Sequence, residues 1–411
     1  MQIDELDLAW EDEADKGRHR RSAARQRAKA ARSGKPVKQK GRGGRTAVAF
    51  LVILIVLGGV VAGGYFGISK VQELFSAPDY KTGGTGTVQV EVLANQTASD
   101  IAQTLYKADV VKSAKAFVNA AKGDVRSKKI QPGFYQLRHK MRAVDALGLM
   151  LDPAAKLVTK VTLPEGLTYQ DTFNRLSQAT KIPVADFEAA AKDPTALGVP
   201  DFWFTRKDHH EVKKSIEGFL YPATYEFNPG VDAETILKTI VAKFNDEMQA
   251  TGFIDAVQQK LSISPFEALI AASIAQVEAI FPEDMAKVSR VLYNRAYGTK
   301  FPCNCLQLDS TVNYWLRISG KSAKPSQDLL NSELHNPNDP YNTHDKPGLP
   351  IGPISSPGND ALTGAMNPPT DPQSRSYLFF LAIDKAGHCA FATTNDEFEK
   401  LKVTARKNGA L

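Results

Sequence analysis

Cysteine is scarce in this sequence, which has only Cys303, Cys305 and Cys389 among its 411 residues. So few thiols exclude the disulfide-dense scaffolds of small secreted domains. A disulfide from Cys389 to Cys303 or Cys305, and a set of unpaired buried thiols, are both compatible with the sequence. A zinc site that adds His388 is disfavoured, because a C-x-C pair lacks the usual spacing of zinc ligands. We expect neither a metal ion nor another cofactor.

An excess of basic residues is also missing from most of the chain, although the formal net charge is +6. About thirteen Lys and Arg lie in residues 16–45 and about seven acidic residues precede them, so this segment alone accounts for the excess. The near-neutral remainder offers no basic face to a polyanion. Nucleic acid is therefore not an expected partner.

An uncharged apolar stretch runs from Ala47 to Ile68, and its length suits a helix across a bilayer core of about 30 Å. The alternative is a cleaved signal peptide, but the stretch exceeds the usual apolar length of about 7–15 residues and its leader is unusually long. Lys and Arg crowd the N-terminal flank, which predicts a cytoplasmic N-terminus and an extracytoplasmic remainder. We thus expect a single-pass protein of the cytoplasmic membrane.

Composition and periodicity predict five consecutive segments: a disordered basic cytoplasmic tail (1–45), a transmembrane helix (46–68), a flexible linker (69–87), a small α/β module (88–155) and a larger α+β domain (156–411). The tail has too few large apolar side chains to fold. The linker is rich in Gly, Thr and Ser, a composition typical of flexible spacers. The module begins with Val88, Val90 and Val92, which alternate as in a half-buried strand.

The clearest helix signal begins at Ser264, which is followed by a proline and, three residues after the serine, by Glu267. This order predicts an N-cap serine with a capping box and a proline at the first helical position. An apolar row then passes through Ile270 and Ile274, and the next member of that row is Glu278. A carboxylate therefore occupies a core-like position.

Glu278 lies close to the helix break expected at Pro282, and we take it as a candidate acid/base. Partial burial raises the pKa of a carboxyl group. A carboxyl group that is protonated near neutral pH can donate its proton to a glycosidic oxygen. The alternative is a buried glutamate satisfied by an arginine or by backbone groups, and spacing alone leaves both open.

The segments after Pro282 alternate between regular and irregular structure. A second helix is predicted to begin there, with Gly298 as its stop. The stretch from Lys300 to Asn367 is rich in Pro, Gly, Asn and Asp, which predicts a long loop region. Strand character returns at Ser376–Asp384.

Several segments, in order and spacing, resemble the successive motifs of the MltG (YceG-like) endolytic murein transglycosylases. The later motifs are AASIAQVEAIFPEDMAKVSRVLYNRA, LQLDSTVNY, PYNTHDKPGLPIGPISSPG and SYLFFLAIDKAGHCAF. Two earlier segments, VTLPEGLTYQDTFNRL and IEGFLYPATYEFNPGVDAETIL, are similar too, so the resemblance covers about Val88 to Lys400. It implies a membrane-anchored enzyme with a small LysM-like module (88–155) before a YceG-like catalytic domain (156–411).

The resemblance implies one catalytic glutamate. Many members have two glutamates in the pattern ASIVEKE, whereas this chain reads ASIAQVE and has Gln276 at the first position. Glutamine cannot act as an acid/base, so the role falls on Glu278. Residues two apart lie on different faces of a helix, and only Glu278 continues the row from Ile274. The implied reaction is a non-hydrolytic cleavage between N-acetylmuramic acid and N-acetylglucosamine that leaves 1,6-anhydro ends.

Polar residues in the other motifs are candidates for binding the glycan. They are Asp309, Tyr341, Asn342, Thr343 and Glu217. Each also has a structural interpretation: Asp309 could cap a helix, the Asn-Thr pair could serve only a turn, and Glu217 could be a buried hydrogen-bond partner. His388 is better explained as a turn residue than as a ligand.

Two rival functions remain, a hydrolytic muramidase and a non-catalytic glycan-binding scaffold of cell-wall synthesis. A muramidase needs a second carboxylate about 5–9.5 Å from the first, and Asp309 or Glu283 would be the candidates. A scaffold would tolerate loss of Glu278. The expected partners are peptidoglycan glycan strands and the cytoplasmic membrane, with peptidoglycan synthases as a further candidate.

Overall fold

The computed structural model describes residues 77–411, which belong to one compact unit. The predicted tail (1–45) and the predicted transmembrane helix (46–68) lie outside the described residues. Within residues 77–411, no helix is both long and apolar enough to cross a membrane. The membrane anchor therefore stays a prediction.

The described part of the chain is a mixture of helices and short antiparallel strands, which confirms the α+β class. In chain order the elements are β1 (Gly83–Val92), α1 (Ala98–Lys107), α2 (Ala114–Gly123), β2 (Gly133–Met141), α3 (Ala143–Met150), β3 (Lys156–Leu157), β4 (Thr159–Leu163), α4 (Tyr169–Thr180), α5 (Val184–Ala190), β5 (Ala223–Phe227), α6 (Ala233–Ala250), α7 (Phe253–Lys260), α8 (Pro265–Glu278), α9 (Pro282–Tyr297), α10 (Asp309–Ile318), α11 (Asn331–Leu334), α12 (Asn359–Met366), β6 (Phe379–Ala382), β7 (Cys389–Ala392) and α13 (Asn395–Asn408). The sheets are β1-β2-β3, β4-β5 and β6-β7.

The N-terminal module has its own hydrophobic core. Strand β1 pairs antiparallel with β2, so that Val90 lies opposite Tyr135, and both side chains are buried. Leu105 from α1 and Phe117 from α2 complete the buried cluster. The module thus begins with the chain order strand, helix, helix, strand. Its LysM-like character stays a prediction.

Strand β1 begins earlier than the sequence indicated. A flexible linker was expected up to Thr87, whereas β1 starts at Gly83, which pairs with Met141. Gly84 has a φ of +85°, and a Cβ there would lie 2.7 Å from the carbonyl oxygen of His139. Glycine at this position therefore allows two strands to approach closely. Composition alone could not show whether the glycines of this segment make a flexible linker or a tightly packed strand.

Helix α8 runs through the centre of the larger domain. Its N-terminus is as predicted: Ser264 is the N-cap, Pro265 is the first helical residue, and Ser264 and Glu267 form a capping box. Every residue from Pro265 to Ala275 is buried. The apolar row through Ile270 and Ile274 is thus one part of a helix that is buried on all sides.

Helices α9 to α12 and the hairpin β6-β7 follow α8. Helix α9 ends before Gly298, whose N–H donates to the carbonyl of Asn294, so the predicted stop is confirmed. The stretch predicted as a long loop contains α10 and α12, and that prediction is wrong in part. Val312 and Leu316, four residues apart on α10, are buried together, a short helical row that the surrounding turn residues obscured.

Candidate active site

Glu278 is the last residue of the buried helix α8, and its side chain is half-buried. The helix stops because Ala279 adopts an extended conformation and α9 starts at Pro282. The neighbouring side chains of Val277 and Ile280 are 42% and 66% exposed. The carboxyl group therefore stands where the core helix reaches the surface, beside apolar side chains that a sugar ring could cover.

The surroundings of Glu278 favour its protonated form. Burial raises the pKa of this carboxyl, and the charge of Asp309 raises it further. The hydroxyl of Ser310 and the guanidinium of Arg295 act in the opposite direction, but the pKa stays above its ordinary value. A half-buried carboxyl group with a raised pKa is suited to donate a proton near neutral pH.

Arg295 on α9 supplies a fixed positive charge near Glu278. Its Nε donates to the carbonyl of Leu378 at 2.6 Å, and its guanidinium lies 4.1 Å from the centre of the Phe301 ring. A second nitrogen donates to the carbonyl of Leu306. Burial lowers the pKa of Arg295 to about 10, so it remains charged at neutral pH and stabilises the carboxylate that forms after Glu278 gives up its proton.

Asp309 opens helix α10 close to Glu278, but it does not cap the helix. The N-cap is Leu308, and no side-chain cap hydrogen bond is present there. Asp309 Oδ1 instead lies 3.1 Å from His344 Nε2. The hydrogen bond from His344 holds the pKa of Asp309 below its ordinary value despite partial burial. The pKa values of two neighbouring carboxyl groups are thus displaced in opposite directions, which is the pattern of a site that separates an acid from a permanent anion.

Ser310 is the second residue of α10. Its Oγ is buried and makes no hydrogen bond of good geometry within the described residues. The hydroxyl nonetheless lowers the pKa of Glu278, so it lies near that carboxyl and stabilises the ionised form.

Three of the predicted glycan contacts are buried in the loop that precedes His344. Asn342 accepts from the N–H groups of His344 and Asp345 and donates to a backbone carbonyl, so it holds the turn. Thr343 Oγ1 accepts from the N–H of Leu308, which fixes this loop to the start of α10. Tyr341 is only 3% exposed. A direct contact of these three side chains with glycan stays a prediction, and their burial supports a structural role.

Glu217, the remaining predicted contact, is fully buried beneath α4 and α10. Its Oε2 accepts from the N–H of Tyr169 at 3.1 Å, whereas its Oε1 has no hydrogen-bond partner. Burial raises its pKa to about 8. The structure does not bring Glu217 to the surface at Glu278, and its role in glycan binding also stays a prediction.

Gln276, at the position of the additional family glutamate, takes part in a loop contact. Its Oε1 accepts from the N–H of Gly358 at 2.8 Å. The Glu165 carboxyl lies against Gly358, where an added Cβ would come within 2.0 Å of it and displace it. Gln276 therefore ties the last turn of α8 to the SSPG segment.

The cysteines pair differently from either alternative in the sequence analysis. Cys303 and Cys305 form a disulfide with each other, and Cys389 is free. His388 stacks on Phe281 with ring centres 4.1 Å apart, and its Nδ1 lies 2.8 Å from Asp384 Oδ2, which supports the turn interpretation. Among residues 77–411, no three His, Cys, Asp or Glu side chains are grouped so that they could hold a metal ion.

Arg295, Ser310 and His344 were missed by the sequence analysis. Arg295 follows Val291 by four residues, so a charged residue interrupts an apolar row as Glu278 does, and that signal could have found it. Nothing in the sequence separates Ser310 from other hydroxyl residues at helix starts. His344 becomes recognisable only when the loop folds back on α10.

Comparisons with known proteins identify the family of this chain. The sequence model of the YceG-like family matches residues 90–404. A Bacillus subtilis (strain 168) protein named endolytic murein transglycosylase is 29% identical over 354 residues, which cover 85% of this chain and 90% of the relative. A protein of the same name from Streptococcus pneumoniae (strain D39) is 26% identical over 370 residues, covering 86% of this chain and 64% of that relative. A crystal structure of a YceG-like protein from Listeria monocytogenes has 27% identity and a TM-score of 0.49, covering 77% of this chain and 98% of that one. The chain belongs to the YceG-like family.

Proposed function

We propose that this chain is an endolytic peptidoglycan lytic transglycosylase that cleaves the bond between N-acetylmuramic acid and N-acetylglucosamine, with Glu278 as its acid/base. The observation that carries the proposal is the half-buried Glu278 carboxyl with a raised pKa at the surface end of a core helix. Relatives named endolytic murein transglycosylase, 26–29% identical over most of the chain, support the reaction class.

One carboxyl group performs both proton transfers of the proposed reaction. Protonated Glu278 first donates its proton to the glycosidic oxygen as the bond to the anomeric carbon breaks. The resulting carboxylate then removes the proton from the 6-hydroxyl of the same muramic residue. That oxygen attacks the anomeric carbon and closes a 1,6-anhydro ring, which returns Glu278 to its protonated form and leaves water out of the reaction. A nucleophile held by the substrate itself has a high effective concentration.

Neighbouring side chains stabilise both protonation states of Glu278. Asp309 favours the protonated acid, whereas Ser310 and Arg295 favour the carboxylate. The ionised Asp309 favours the protonated acid before cleavage and can stabilise positive charge that develops at the anomeric carbon. Arg295 and Ser310 stabilise the carboxylate that exists between the two proton transfers. An acid that is too weak would not protonate the leaving oxygen, and opposing neighbours keep its pKa within a useful range.

A hydrolytic muramidase is the second candidate, because Asp309 is a second ionised carboxylate near Glu278. Such an enzyme would use Asp309 as a nucleophile or to activate water. One Asp309 oxygen is already engaged by His344, which suits a fixed anion better than a group that must move protons. The two candidates predict different products.

The proposal includes a membrane location. The uncharged stretch from Ala47 to Ile68 and the basic residues before it support a single span with the catalytic domain outside the cytoplasm. This arrangement would place the active site at the outer face of the cytoplasmic membrane, where glycan strands lie. Residues 88–155, as a LysM-like module, would stand beside it. Release of nascent strands made by peptidoglycan synthases would be the biological role.

The direct test is the variant Glu278→Gln, which keeps the size of the side chain and removes its titratable proton. We expect no detectable cleavage of purified peptidoglycan and unchanged circular dichroism and unfolding. Gln276→Glu serves as a control, because Gln276 contacts Gly358 and is not expected to alter the reaction type. Turnover by Glu278→Gln near the wild-type rate, or restoration of its activity by Gln276→Glu, would reject Glu278 as the acid/base.

A further inference from the structure

A cavity of about 330 Å³ opens beside helices α4, α5 and α10, away from Glu278. Its walls include the aromatic side chains of Tyr169, Phe173, Tyr314 and Tyr341, and Ile318 adds a further apolar surface. None of the reaction steps proposed for Glu278 uses this space. A concave, aromatic-lined cavity of this size is typical of a ligand site.

Helix α10 connects this cavity to the catalytic carboxyl. Ser310 lies near Glu278, while Tyr314 and Ile318 line the cavity. These three residues are four apart in sequence and therefore occupy one face of the helix. With a rise of about 1.5 Å per residue, the cavity begins about 6 Å from Ser310 along the helix and extends to about 12 Å.

The rim of the cavity carries more positive than negative charge. Its ionisable side chains outside the tyrosines are Lys192, Lys213, Lys214 and Glu188, and all three lysines are exposed. Lys214 is also within 2.9 Å of Asp201, which leaves Lys192 and Lys213 as the clearer anchors. The N–H of Lys213 donates to the carbonyl of Ile351 at 2.8 Å, so a backbone contact fixes this lysine at the rim.

The cavity therefore combines aromatic and apolar walls with a rim on which lysines outnumber acids.

We propose that this cavity binds the short acidic peptide carried by a muramic residue of the strand being cut, with Lys192 and Lys213 contacting its carboxylates. The inference rests on the proposed transglycosylase function. A neutral sugar ring would gain little from lysines, whereas a peptide with free carboxylates and methyl side chains matches both the rim and the walls. About four extended peptide residues span about 13 Å, which matches the length of about 12 Å along α10 from Ser310 to Ile318.

The test measures binding by the full-length chain in nonionic detergent, with Glu278→Gln present to prevent cleavage. One ligand is a synthetic tetrasaccharide of alternating N-acetylglucosamine and N-acetylmuramic acid whose lactyl groups carry the peptide. The other is the same tetrasaccharide with each lactyl carboxyl capped as a methylamide. Chromatography of the recovered ligands checks that they remain intact.

The peptide-bearing ligand is expected to bind about tenfold more tightly, the size of two surface charge contacts together. Adding Lys192→Gln and Lys213→Gln should abolish that preference and leave the affinity for the capped ligand unchanged. Lys238→Gln, at an exposed position on α6, is the matched control and should retain the preference.

Three results would overturn the inference: no preference for the peptide-bearing ligand, a preference that survives the lysine changes, or an equal loss of affinity for both ligands. The last result would identify a sugar-binding site instead. Cleavage of either ligand by the Glu278→Gln protein would contradict the proposed function, and that outcome is distinct from all three.

Discussion

The buried Glu217 makes stability depend on pH in a way that one substitution should remove. Its pKa is about 8 in the folded chain against 4.5 when unperturbed, because burial disfavours the charged form. The folded state therefore binds a proton more tightly than the unfolded state. This group stabilises the fold fully below about pH 4.5, and the contribution is lost as pH rises through about 8.

The size of the effect follows from the two pKa values. Between pH 5 and pH 8.5 the wild-type chain should lose about 4 kcal/mol of unfolding free energy through this one group. Glu217→Gln has no proton to lose and keeps an acceptor for the N–H of Tyr169. The stability of the variant relative to wild type should thus increase by about 4 kcal/mol over that range.

Urea unfolding of a chain that begins at Ala77, followed by tryptophan fluorescence, measures this difference. Trp203 and Trp315 are then the only tryptophans, and Trp203 packs against Phe219 close to the buried carboxyl. Glu211→Gln, at an exposed position, is the control and should follow the wild type at every pH. Parallel pH dependence of the wild type and Glu217→Gln would refute the reasoning.

Two further predictions concern the active site and the membrane. Asp309→Asn removes a charge that raises the pKa of Glu278. The alkaline limb of the profile of kcat/KM against pH should therefore move to lower pH, and activity should fall without vanishing. An unchanged limb or a shift to higher pH would contradict the assigned role. Reporter fusions should place a domain before Met1 in the cytoplasm and a domain after Leu411 outside it, and the reverse topology would remove the active site from its substrate.

Features determined by neighbouring residues were predictable from the sequence. The start of α8 was predicted because Ser264 and Glu267 satisfy each other's backbone groups locally. Glu278 could be singled out because it continues an apolar row, but spacing alone left a structural role open, and its catalytic role stays a prediction. The end of α9 was predicted from another local signal, the glycine that follows its last turn.

Features that depend on contacts across the fold were not predictable. The hydrogen bond from the N–H of Leu308 to Thr343 Oγ1 joins residues 35 apart in sequence. The Cys303–Cys305 pair requires the chain to reverse between them, and Cys303 and Asn304 do so with positive φ values of 57° and 54°. The pairing of Asp309 with His344 likewise joins residues 35 apart in sequence.

The most direct test of the proposed function is the fate of the oxygen atom at the cleaved bond. Purified peptidoglycan is digested by the wild-type chain in water enriched in heavy oxygen, and the new ends are examined by mass spectrometry beside those from a hydrolytic muramidase. If the muramic 6-hydroxyl attacks while Glu278 transfers the proton, the products carry 1,6-anhydro ends without label. Heavy oxygen at the new anomeric carbon, together with loss of all activity in Asp309→Asn, would contradict the account and establish a two-carboxylate hydrolase.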